Sequence, residues 1–226
     1  MSQAPTRSPR ATSQPPPTWD VAYLFPSQGA WSEEEYLALP GNRLVEFSHG
    51  VLEVLPMPTT SHQLLVAYLY GLLLGFSTRD DLGTALFAPL RVRLGGGKFR
   101  EPDVVFLLKE HAHRIGEEFW EGADLVMEVV SGEERDRRRD LVTKRSEYAR
   151  AGIAEYWIVD AEQEQITVLR LVGKRYVVHG EFGPETTAAS HLLPGFTVDV
   201  REAFAVADRT LVASKRSRAP RRSPKS

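Results

Sequence analysis

An α/β domain with a mixed central sheet flanked by helices is the architecture this sequence predicts. Strand-like segments outnumber helical ones. Two of the strands, Val104–Leu108 and Leu125–Val130, are apolar runs broken only by Glu128, and such runs are covered on both faces of a sheet. Two main helical segments, one starting near Thr60 and one at Glu133, are available to cover them.

The elements follow in chain order. Ser32 with Glu35 three residues on forms a capping box that opens a short helix, and Pro40-Gly41 ends it. Arg43–Ser48 and Val51–Leu55 read as two strands joined at His49-Gly50. Thr60 or Ser61 caps a helix running to about Ser77, apolar on most sides and therefore expected to be buried. Thr84–Leu94 reads as one strand, kinked at Pro89, and Gly95-Gly96-Gly97 as a hairpin turn. The charged segment Glu133–Ala151 reads as a helix closed by Gly152. Glu155–Asp160 is a strand, and Gln165–Leu171 pairs with Arg175–His179 around Gly173. A loop at Leu193-Pro194-Gly195-Phe196 precedes a last short strand and a helix at Arg201.

Residues 1–18, rich in Ser, Pro, Thr and Gln, and the basic stretch 209–226 are expected to be disordered tails around a folded domain at 19–208. The net charge of −2 conceals their contribution, because the tails hold nine bases and no acid. Without them 19 bases face 30 acids, leaving the domain at −11. An acidic domain is a poor general binder of phosphates but a reasonable host for a cation. The basic tail reads as a solvated charge run, with a nucleic-acid contact as the alternative. Cysteine is absent, which excludes disulfides, thiolate metal sites and a cysteine nucleophile and fits a cytoplasmic protein. The polar start is not that of a signal peptide. The apolar run Leu64–Phe76 is too short to span a bilayer, so no membrane role is expected.

Chemistry concentrates around two acids. Glu128 sits inside an apolar strand, where an ionised carboxylate is costly unless it is paired or binds a metal. A buried ion pair with an arginine is the competing reading. Asp103 follows Pro102 at the start of the other apolar strand, a place where Pro-Asp can also merely mark a turn. Together the two offer hard oxygen ligands from neighbouring strands, a set suited to Mg²⁺ or Mn²⁺. Asp140, Lys144 and Tyr148 then recur at four-residue spacing on one helix face.

Four blocks in this order, Glu101-Pro102-Asp103, Leu125–Ser131, Asp140–Lys144 and Tyr148–Asp160, resemble the Uma2 family of the restriction-endonuclease-like PD-(D/E)XK superfamily over about residues 30–205. The resemblance implies a restriction-endonuclease-like fold and metal-dependent hydrolysis of phosphodiester bonds, with DNA as the partner. It implies Asp103, Glu128 and the carbonyl of Val129 as metal ligands, Lys144 as the lysine that orients the nucleophile or stabilises developing charge, and Glu46 as an added acid. The superfamily pattern places its lysine two residues after the second acid, where this chain has Val130. Lys144 stands instead on the following helix. The competing readings are an exposed Asp140–Lys144 helix pair and a solvent-facing Glu46 at a sheet edge.

Other signals are weaker. His62, at the start of the long helix, is read as a contact to phosphate or metal-bound water or as a cap-region side chain, and Asp140 and Tyr148 join it as candidate substrate contacts. His111-Ala112-His113 lacks a third ligand and is read as structural. Gly95-Gly96-Gly97-Lys98 lacks the spacing and hydroxyl of a phosphate loop. Arg135, Arg137, Arg138 and Arg139 either line a phosphate track or form a solvated face. Tyr156 and Trp157 are read as core. The functional readings that follow are an endonuclease, a catalytically inactive nuclease-fold module that binds nucleic acid or protein, and a homodimer that presents two sites to a duplex.

Overall fold

The computed structural model describes residues 25–39, 44–130 and 139–206, with the side chains of 139 and 140 left aside. The expected tails at 1–18 and 209–226, the Pro40-Gly41 stop and the arginines at 135, 137 and 138 lie outside the described residues, as do the side chains of Arg139 and Asp140. Two helices and two strands open the description: α1 (Glu33–Leu37), β1 (Val45–Ser48), β2 (Val51–Val54) and α2 (Thr60–Arg79). Strands β3 (Gly83–Phe87), β4 (Val92–Arg93), β5 (Lys98–Arg100) and β6 (Val104–Leu108) follow, then a 3-10 helix over Lys109–Arg114, β7 (Trp120–Glu121) and β8 (Leu125–Val130). A π-helical turn at Arg139–Lys144 runs into α3 (Arg145–Ala151). The chain continues with β9 (Glu155–Asp160), β10 (Gln165–Val172), β11 (Arg175–Phe182), β12 (Thr187–Ala189) and β13 (Thr197–Asp199).

The central sheet is mixed, as expected, with order β11-β10-β9-β8-β6-β3. Among the described residues of this sheet, β8 and β9 alone pair in parallel, the signature of a crossover, and α3 lies in the segment that makes it. Alternate residues of the apolar strands serve opposite faces. Val104, Phe106, Met127, Val129, Trp157 and Val159 pack with Leu65, Val66, Leu69 and Leu73 of α2. Val105, Leu107, Val126, Val130, Tyr156 and Ile158 pack with Tyr148 and Ala149 near α3. Tyr156 and Trp157 are core residues, fully buried. Burial on both faces is why these strands need no polar alternation.

Three expectations are corrected. The stretch 84–94 is not one kinked strand: the chain leaves the central sheet after Phe87, passes a cis Ala88–Pro89 bond, and enters a second sheet at Val92. That sheet, β2-β1-β5-β4-β7, encloses an aromatic core of Tyr36, Phe47 and Phe99 beside Val45. The cap of α2 is Thr59, one residue before the expected position, with its side chain accepting from the His62 N–H at 3.2 Å. Nor is α2 buried all round: Leu65, Val66, Leu69, Leu73 and Ser77 form one buried stripe while Leu74 is exposed. The capping box at Ser32 and Glu35 and the left-handed Gly152 cap after α3 stand as expected, Gly152 with φ of 80°. No helix among the described residues is long and apolar enough to cross a membrane.

Candidate active site

Strand register brings the two acids together. β6 pairs antiparallel with β8, Val104 against Met127, so one step further Asp103 faces Glu128. The Oδ2 of Asp103 accepts from the Val129 N–H at 2.7 Å, so Val129 is tied to Asp103 through its amide. The Oδ1 of Asp103 lies 2.9 Å from Nε2 of His62. Thr59 starts α2 so that His62 falls in its first turn, and this brings the ring to the sheet.

Glu128 is buried, and its Oε1 takes two donors: Lys144 Nζ at 2.9 Å and the Tyr148 hydroxyl at 2.5 Å. Burial, then the Glu128 charge, pushes the Tyr148 pKa well up, so the phenol stays protonated and donates. Tyr148 is fully buried. Its hydroxyl is taken up by Glu128. Lys144 is 2% exposed, which rules out the solvent-facing helix pair as an account of it.

Glu46 is also internal. β1 lies between β2 and β5, not at an edge, and Glu46 is fully buried. Its Oε1 lies 3.3 Å from Lys144 Nζ and accepts from the Glu101 N–H at 3.3 Å. Its Oε2 is 3.6 Å from Arg100 Nη1 and has no hydrogen-bond partner among the described residues. The site therefore spans the seam between the sheets. Glu46, Glu128 and Lys144 meet there, while Asp103 is held by His62 and by the N–H of Val129, the residue after Glu128.

Sequence reasoning missed Arg100, Glu147 and Lys98. Arg100 grips Glu147 through Nε at 2.8 Å and Nη2 at 3.0 Å, and Lys98 Nζ reaches the same carboxylate at 2.5 Å. Burial works against the Arg100 charge, yet Glu46 and Glu147 hold its pKa above the usual value. Burial likewise raises Glu147, but Arg100 and Lys98 outweigh it and leave its pKa lowered. The signal available was the basic alternation Lys98-Phe99-Arg100 just before Glu101. His111 Nδ1 lies 2.8 Å from Asp124. Gly95-Gly96-Gly97 is the β4–β5 turn.

The family model for Uma2, described as "Putative restriction endonuclease", matches residues 33–201. The chain belongs to the Uma2 family. A solved structure described as "a putative nuclease belonging to DUF820", from Anabaena variabilis, is similar in fold, with a TM-score of 0.63 at 15% identity over 77% of this chain and 97% of that one. No match was found among curated proteins. The fold is thus the restriction-endonuclease-like one.

One more acid of this Uma2 chain lies at the seam. Glu101 is buried, and its Oε2 has no hydrogen-bond partner among the described residues. Burial, then the neighbouring Glu46 carboxylate, pushes its pKa up to about 7. A carboxyl raised on folding favours the folded state fully below its unfolded pKa and loses that contribution as pH rises through the folded one. The window here is about pH 4.5 to 7. Between pH 5 and 8 the wild type is expected to lose up to about 3 kcal/mol more stability than Glu101→Gln. Urea unfolding at several pH values in metal-free buffer checks this, and parallel curves would contradict it.

Proposed function

We propose that this chain is a metal-dependent endonuclease that hydrolyses phosphodiester bonds of DNA. The observation that carries the reading is the meeting of Lys144 Nζ with Glu128 Oε1, 2.9 Å apart and buried, beside Asp103. This contact supports a reading in which Lys144 takes the role of the strand lysine that the superfamily pattern puts at position 130.

The donor set fits a hard divalent cation. Among the described residues no three acidic or histidine side chains are grouped to hold a metal ion by themselves. Mg²⁺ does not require that, because it binds through one or two carboxylates and keeps waters or substrate phosphates. The buried Oε2 of Glu101, which has no hydrogen-bond partner among the described residues, further favours a cation nearby. Asp103, Glu128 and the Val129 carbonyl would hold it. Bound there, Mg²⁺ or Mn²⁺ supplies a water of lowered pKa and screens the phosphate charge.

The protein's own groups do the rest. His62 fixes Asp103 from one side and stands where it can meet a phosphate oxygen. Tyr148 keeps Glu128 oriented. Lys144, balanced between Glu46 and Glu128, presents positive charge to the oxygen on which charge develops. The test is incubation of the purified protein with supercoiled plasmid and Mg²⁺ or Mn²⁺ beside Asp103→Ala and Glu128→Ala. Nicking by the wild type alone is expected. Equal nicking by all three, or by none, would sink the proposal.

A further inference from the structure

The π-helical turn ends on Lys144 and runs directly into α3. α3 has seven residues, too few to be stable alone. A π turn is a rare and weakly specified piece of helix. Yet Lys144 Nζ and the Tyr148 hydroxyl both converge on one oxygen of Glu128.

Glu147 lies between those two residues in sequence, and its carboxylate is held by β5 of the second sheet. It takes Lys98 Nζ at 2.5 Å and Arg100 through Nε and Nη2 at 2.8 and 3.0 Å. Arg100 is anchored in turn, donating to the carbonyls of Phe47 at 3.4 Å and Phe99 at 3.2 Å. A planar guanidinium bound at two points fixes direction as well as distance. Arg100 also lies 3.6 Å from Glu46, which reaches Lys144 at 3.3 Å. The result is a chain of alternating charge, part-buried at Lys98 and buried from there on: Lys98, Glu147, Arg100, Glu46, Lys144, Glu128.

We infer that Glu147 is a positioning residue: gripped by Arg100 and Lys98, it sets the helix register that delivers the Lys144 ammonium to Glu128. A strand lysine at 130 would be held by the sheet backbone, whereas a lysine on a short helix needs an external clamp. Neutralising Glu147 has a second effect. It leaves Arg100 to Glu46 alone and draws that carboxylate away from Lys144.

The inference rests on the endonuclease reading only for its consequence in turnover, so the test has a readout that needs no turnover. In Glu147→Gln, acylation of Lys144 by acetic anhydride, followed by mass spectrometry, is expected to rise about tenfold. Exposed Lys109 and Lys174 serve as unchanged controls. In the nicking assay kcat is expected to fall about 10–100-fold with KM unchanged. Lys98→Met removes one arm and spares the buried Arg100 pair, so it stays folded if Glu147→Gln does not, and a rise of about two- to threefold is expected. Unchanged Lys144 labelling in a folded Glu147→Gln protein, or in Lys98→Met if the first does not fold, overturns the inference. A wild type that labels as expected but never nicks DNA overturns the endonuclease reading and leaves Glu147 in its positioning role.

Discussion

On the endonuclease reading, Lys144→Met is expected to cut turnover sharply and to destabilise the fold while leaving cation binding in place. The ammonium lies within reach of two buried carboxylates, 2.9 Å from Glu128 and 3.3 Å from Glu46. Removing one partner of a buried ion pair leaves an uncompensated charge, at a cost of about 3–5 kcal/mol. Here two carboxylates lose the same cation, although Tyr148 still donates to Glu128 and Arg100 stays near Glu46. The loss should shrink in Lys144→Met with Glu128→Gln, which removes one of the stranded charges. Urea unfolding of the single and double variants measures the difference. Turnover should fall about 10²–10³-fold, the range for losing one preorganised group aimed at developing charge. Calorimetry with Mn²⁺ should still show binding, since Asp103 and Glu128 remain. A variant as stable and as active as the wild type would remove Lys144 from the site.

Glu155→Ala is expected to be the most destabilising single change outside the seam. Glu155 opens β9, is fully buried, and gathers four donors. Trp157 Nε1 donates at 2.7 Å and the Ser190 hydroxyl at 2.6 Å to one oxygen. The His191 and Leu192 N–H groups donate at 2.6 and 2.8 Å to the other. The carboxylate thereby ties the loop before β13 to the central sheet. Alanine strands all four donors, and a buried unsatisfied donor costs about 1–3 kcal/mol. Allowing for water entering the space, a loss on the order of 4 kcal/mol is expected. Glu155→Gln keeps two acceptor positions and should lose less. Equal midpoints for alanine and glutamine in urea would show that packing, not the hydrogen bonds, holds the loop.

Much of the central sheet was legible because its strands are buried on both faces. Val104–Leu108, Leu125–Val130 and Glu155–Asp160 read as strands from apolar runs alone, and their bounds agree with the structure. The second sheet was not legible. β4 and β7 have two residues each and carry no periodicity; they exist as strands only because neighbours pair with them. The same limit explains the reading of 84–94 as one strand, since Pro89 marks a break but not which sheet the chain enters next. For α2, apolar density suggested burial on every side, while the structure covers one stripe.

The site divides in the same way. Sequence determined that Glu128 needs a partner, because an acid among Leu125, Val126, Met127, Val129 and Val130 cannot stay ionised unaided. Order and spacing of the blocks also determined the family. Only the tertiary structure decided who the partners are. Lys144 and Tyr148 reach Glu128 from 16 and 20 residues away, and Arg100 meets Glu147 across 47. Local pattern encodes which residues must be buried. Which charges meet once they are buried depends on how two sheets and a short helix dock, and no spacing along the chain records that.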